Sequence, residues 1–103
     1  MSDLIEPLDP ILFRKWLEEY PYHTVGLAGD VCRCPLACWL SEVRGKPYEV
    51  GGESYGVVGV VESERLPAWT KRFVRLVDGA YGCRPVLRIG ALSLLDRCLR
   101  EVT

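Results

Sequence analysis

Residues 25–40 read Val25-Gly26-Leu27-Ala28-Gly29-Asp30-Val31-Cys32-Arg33-Cys34-Pro35-Leu36-Ala37-Cys38-Trp39-Leu40. Two glycines and an aspartate run into a Cys-Pro step, and an apolar run follows. Proline suits the first position of a helix, where its missing N–H is not needed and its fixed φ is already helical. The spacing predicts a helix from Pro35, with Leu36, Trp39, Leu40 and Val43 on its apolar face. Gly45, just past Arg44, reads as its terminator. The glycines ahead of the helix read as a turn.

Upstream, Asp9-Pro10 is a second helix start, with Asp9 accepting from the unpaired amides of the first turn. Leu12, Phe13, Trp16, Leu17 and Tyr20 form its apolar stripe, and Pro21 ends it. Downstream, Pro47–Val50 and Tyr55–Val61 read as two strands around the loop Gly51-Gly52-Glu53-Ser54. Leu66-Pro67 opens a third helix, with Trp69, Phe73, Leu76 and Val77 on one side and Gly79 as its stop. A fourth covers about Ala91–Val102, supported by the pairs Asp96/Arg100 and Arg97/Glu101. Pro85–Ile89 is either a third short strand or the approach to this helix. The expected fold is a mainly helical α+β domain spanning 1–103, with about four helices and a small antiparallel hairpin.

Composition sets limits. A chain of 103 residues, 49% hydrophobic and 26% charged, matches an ordinary globular domain rather than a disordered one. No apolar run approaches the roughly 18 residues of a membrane span. The start, Met1-Ser2-Asp3-Leu4-Ile5-Glu6, lacks the basic-then-apolar order of a signal peptide, so a cytoplasmic protein is expected. The chain has no Asn and no Gln, and ten Arg against three Lys, a thermophile-like pattern. Residues 1–64 carry five basic and eleven acidic side chains, and residues 65–103 carry eight and three. The two halves are expected to attract, within one chain or between subunits.

Five cysteines is an odd number, so at least one thiol lies outside any disulfide framework within the chain. Cys34 sits at the predicted start of a helix, where open amides and the helix dipole favour a thiolate. That makes it the candidate reactive thiol, with His23 as the sole histidine available to serve as base. Cys32, Cys34, Cys38 and His23 also make a possible three-sulfur, one-nitrogen zinc set, although structural zinc sites usually join two short ligand pairs. Otherwise a thiol packs as a small hydrophobe, and Cys83 and Cys98 read as core. Gly26 and Gly29 before a helix invite a phosphate reading, but Asp30 opposes it. The carboxylates Glu49, Glu53, Glu62 and Glu64 flank the hairpin without a spacing that forces two to converge. Lys71, Arg72, Arg75, Arg84 and Arg88 form a possible anion-binding set, the footprint of a weak nucleic-acid binder. Trp16, Trp39 and Trp69 fall on the helix stripes and are expected in the core, with an interface as the alternative.

The 25–40 segment resembles a group of small prokaryotic and phage or plasmid proteins with a Gly-Asp-x-x-x-Cys-Pro-Leu-Ala helix start. The resemblance rests on Val25, Gly26, Gly29, Asp30, Cys34, Pro35, Leu36, Ala37, Trp39 and Leu40. The start of the third helix, Leu66, Pro67, Trp69, Phe73 and Val74, looks similar too. The function of that group is unknown; the resemblance points to Cys34 as the shared cysteine, with Cys32 and Cys38 as additions, and an accessory protein of a mobile element is the expectation. The resemblance implies no activity, cofactor or catalytic residue. The expected function is therefore non-catalytic, without a cofactor, through contact with a protein partner or a second copy and away from membranes. A zinc- or thiol-dependent protein centred on Cys34 is the rival expectation.

Overall fold

The computed structural model describes residues 8–102, with the side chains of Glu101 and Val102 left aside. The expectations for Met1–Glu6 and for the Arg97/Glu101 pair lie outside the described residues.

Among the described residues, four helices and two small antiparallel sheets make an α+β fold. Helix α1 spans Pro10–Glu19, and Asp9 caps it by accepting from the Ile11 amide at 2.9 Å. Strand β1 (Thr24–Leu27) follows, then α2 (Pro35–Arg44), which Gly45 ends in the left-handed conformation at φ 71°. Strands β2 (Tyr48–Val50) and β3 (Ser54–Val57) pair as the expected hairpin, with Val50 opposite Tyr55. Strand β4 (Glu64–Arg65) adds a third, short edge. Helix α3 spans Ala68–Tyr81, β5 spans Pro85–Leu87, and α4 runs Arg88–Val102. β5 pairs antiparallel with β1, so the segment upstream of the cysteines is a strand rather than a plain turn.

Several expected boundaries move. Gly79 sits inside α3, and the helix stops at Gly82, whose φ of 63° a side chain would resist. An interior glycine costs only about 1 kcal/mol, whereas a left-handed position demands one. The second hairpin strand ends at Val57 rather than Val61, because Gly59 turns the chain at φ 86°. α4 starts three residues early, directly from β5, with the Arg88 amide donating to the His23 carbonyl at 2.7 Å.

The buried apolar residues form one cluster. Its centre is Phe13, fully buried on α1. Its ring lies 4.9 Å from that of Trp39, 5.9 Å from that of Trp69 and 5.2 Å, edge-on, from that of Phe73. One side chain therefore joins α1, α2 and α3. Trp69 is buried with its indole N–H donating to the Leu8 carbonyl at 3.0 Å. Trp39 is buried as well, while Trp16 is half-buried and donates to Glu42 at 3.1 Å. Arg14 forks onto Asp96, at 2.8 and 3.1 Å, and ties α1 to α4. Arg100, the expected partner, adds a favourable charge interaction at Asp96, and the forked Arg14 guanidinium adds two parallel bonds. That hydrogen bonding holds the Asp96 carboxyl below the usual carboxylate range. Ion pairs cross between the charge-asymmetric halves in both senses. Lys71–Glu53 runs in the expected sense, whereas Arg14–Asp96 runs in the opposite one.

Phe13→Ala should lower the unfolding free energy by about 3–5 kcal/mol, measured by urea unfolding. A loss under about 1 kcal/mol, the size of an average substitution, would mean that the three helices pack without the ring.

Candidate functional site

The motif around Cys34 is held by backbone hydrogen bonds. Gly26 has φ 75°, and a Cβ there would stand 2.1 Å from the Arg33 carbonyl oxygen. Only glycine lets these two strands of chain approach so closely. The Leu27 amide then donates to that carbonyl at 2.8 Å. Asp30 organises the loop between them. Its side chain accepts from the Cys32 amide at 3.0 Å. Its carbonyl accepts from the Arg33 and Cys34 amides at 3.1 and 2.8 Å. Gly29, at φ 79°, donates to the Asp78 carboxylate of α3 at 3.1 Å. The Ala28 amide donates to the Arg84 carbonyl at 3.1 Å. Six amides that a phosphate-binding loop would aim outward are therefore committed within the chain. A carboxylate, Asp78, already faces the Gly29 amide.

Cys34 is buried at the start of α2. Burial raises its thiol from the ordinary 9.0 to about 11, against the opposing pull of the Ala37 and Leu36 amides. The expectation of an easily formed thiolate counted the helix N-terminus and not the loss of solvent, which is the larger effect. Cys38 is half-buried, donates to the Arg33 carbonyl at 3.4 Å, and is also raised by burial. Cys32 and His23 are exposed. Among the described residues no three His, Cys, Asp or Glu side chains stand where they could hold a metal ion, so Cys32, Cys34, Cys38 and His23 are not brought together as ligands. Cys98 is core, as expected, with its thiol 3.1 Å from the Trp69 carbonyl. Cys83 is exposed, contrary to expectation, because it lies in the turn between α3 and β5. All five cysteines lie within the described residues, and no disulfide joins any two of them.

The basic set is partly turned inward. Arg84 donates to the Tyr81 carbonyl at 3.0 Å. Arg88 reaches the Leu17 and Glu18 carbonyls at 3.4 Å, at the C-terminal end of α1. Lys71 faces Glu53 at 3.6 Å. Arg72 and Arg75 are exposed on α3. Of the hairpin carboxylates, Glu49 and Glu62 line one open cavity of about 290 Å³.

A different surface stands out. Between α1 and α2 runs a groove of about 350 Å³, lined by Leu8, Leu12, Trp16, Trp39, Leu40 and Val43. Asp9, Lys15, Glu19 and Arg44 are its charged members. Leu12 and Val43 were expected on the apolar faces of their helices, and they are 54% and 55% exposed. A signal for this was present. The apolar residues of α1 fall at 11, 12, 13, 16, 17 and 20, an arc wider than the roughly 100° stripe that one packed face needs. The inner part of that arc packs into the core, and its flank stays outside.

No protein-family model, no curated protein and no solved structure matches this chain. Among the described residues no helix is long and apolar enough to cross a membrane.

At neutral pH the folded protein should be alkylated at Cys32 and Cys83, with Cys34 protected until denaturant is added. Mass spectrometry of labelled peptides reads this directly, and native labelling of Cys34 would contradict its burial. The sign for pH follows from the raised pKa. Below pH 9.0 both the folded and the unfolded thiol are protonated, and the stability linked to Cys34 is complete. Between 9.0 and about 11 the unfolded thiol ionises first, so the folded state loses stability as pH rises. In Cys34→Ala that alkaline loss should be smaller.

Proposed function

We propose that this chain is a small, non-catalytic accessory protein that acts through protein contact, and that its α1–α2 groove receives an apolar segment of another polypeptide. The observation that carries the reading is the exposure of Leu12 and Val43 beside the rings of Trp16 and Trp39. Large apolar side chains grouped in a concave surface gain from being covered, and grooves of this kind receive helices or extended segments through a few anchoring residues. The charged members of the groove suit a partner whose flanks carry matching charges, since such pairs fix orientation more than they add affinity. The inward bonding of the Cys34 loop supports the same reading, because it assigns the most distinctive motif to scaffolding.

Site-specific photo-crosslinking tests this in cells that express the protein. A crosslinker replacing Leu12 should give a discrete protein adduct, and the same group replacing Arg75 on α3 should not. Val43→Asp, a surface change that leaves the fold intact, should reduce the Leu12 adduct about tenfold or more, the loss expected from about 1.4 kcal/mol of anchoring. Adducts from position 12 that match those from 75, or that ignore Val43→Asp, would overturn the proposal.

A further inference from the structure

The end of α2 and the strands β2, β3 and β4 build another cavity, on a sheet face rather than between helices. Gly45 takes the left-handed conformation that ends α2 and turns the chain toward β2. The Tyr48 amide then donates to Ser41 Oγ at 3.0 Å, which holds the start of β2 against α2. Arg44, the last residue of α2, is thereby laid over Tyr48. Its guanidinium carbon lies 5.5 Å from the centre of that ring, and Nη1 donates to the Tyr48 hydroxyl at 3.2 Å. In register, Tyr48 stands opposite Val57, and Tyr55 stands opposite Glu64. Residues directly opposite, and residues two apart on a strand, share one face of a sheet. Tyr48, Tyr55, Val57 and Glu64 therefore share a face, and the two tyrosine rings lie 6.3 Å apart on it.

The chain returning from β3 to β4 supplies the other wall. Gly59 turns it at φ 86°, and the Val60 amide donates to the Val57 carbonyl at 3.0 Å. Gly56 lets the returning chain come close, since a Cβ there would stand 3.0 Å from the Glu62 carbonyl oxygen. The result is an open cavity of about 250 Å³, with Arg44, Tyr48, Tyr55, Val60, Glu62 and Glu64 in its lining. Pockets for drug-sized ligands run to roughly 300–1,000 Å³, so this one suits a smaller molecule.

The chemistry of the lining selects among small molecules. Its charged residues are Arg44 on the α2 wall and Glu62 and Glu64 on the returning chain. A guanidinium holds a carboxylate by two parallel hydrogen bonds. Tyrosine rings attract cations and cover aliphatic stems. We propose that the cavity binds a free basic amino acid. The ligand's α-carboxylate pairs with Arg44, its two cationic groups pair with Glu62 and Glu64, and its stem lies against Tyr55 and Val60. One negative and two positive charges on the ligand thus meet one positive and two negative charges in the lining. The cavity adjoins the α1–α2 groove at Arg44, which lines both, and neither reading depends on the other.

Isothermal titration calorimetry of the full chain at low salt, with L-arginine as the probe, tests the proposal. Binding should saturate, with a Kd between micromolar and millimolar. Agmatine, which lacks the carboxylate, and N-acetyl-L-arginine, which lacks the α-ammonium, should each bind about tenfold or more weakly. Glu62→Gln and Glu64→Gln alter exposed side chains. Each should weaken L-arginine about tenfold and leave the thermal melt unchanged. No saturation up to about 10 mM, agmatine bound as tightly as L-arginine, or binding indifferent to both glutamate substitutions would each overturn the proposal. N-acetyl-L-arginine bound more tightly than L-arginine would overturn it in favour of the C-terminal residue of a peptide.

Discussion

The packing of Phe13 is the constraint from which most of this structure follows. One ring meets Trp39, Trp69 and Phe73, and so sets the positions of α1, α2 and α3. Aromatic pairs at 4.5–7 Å add about 0.5–1.5 kcal/mol each beyond the area that they bury. Turning Phe13 and Leu17 inward commits the rotation of α1. Ile11 and Leu12, on the flank of the same helix, are then left facing outward. The groove is thus a consequence of how the core is packed. A helix that is apolar over too wide an arc cannot hide all of it against its own neighbours.

The 25–40 segment solves a separate problem, the passage from a strand to a helix within seven residues. Its residue types follow from backbone bonding. Gly26 admits the Arg33 carbonyl, Asp30 binds the amides that follow it, Gly29 turns toward Asp78, and Pro35 starts α2. Cys34 is where two effects compete. Helix amides favour its anion and burial disfavours it, and burial prevails because the thiol is covered on nearly all sides. A cysteine at a helix start is activated only where water also reaches it. The clustering of Cys32, Cys34 and Cys38 in sequence does not become a cluster of ligands, since the loop leaves Cys32 outside while α2 carries Cys38 around to the Arg33 carbonyl.

Features governed by local chemistry were legible in the sequence, and those governed by distant contacts were not. Asp9-Pro10, Cys34-Pro35 and Gly45 mark the ends of α1 and α2 because caps act within one turn. β1 and β4 were not visible, since strands of four and two residues owe their existence to β5 and β3, far along the chain. Gly79 and Gly82 look alike in sequence, and only the left-handed backbone at Gly82 tells which one ends α3. Arg84 and Arg88 read as a basic patch because the carbonyls that hold them lie on Tyr81, Leu17 and Glu18. The groove was missed because a stripe shows which residues are apolar and not how much of it the fold covers.

The polar groups of the Cys34 loop are turned into the scaffold, which underlies the proposal that the molecule acts through its surface. Amide hydrogen exchange tests this most directly. The amides of Leu27, Ala28, Gly29, Arg33 and Cys34, each bonded within the chain, should exchange only through openings close to global unfolding in free energy. Rapid exchange at these positions in the native protein would show the loop open to solvent and to ligands, and would return Cys34 to the centre of the function.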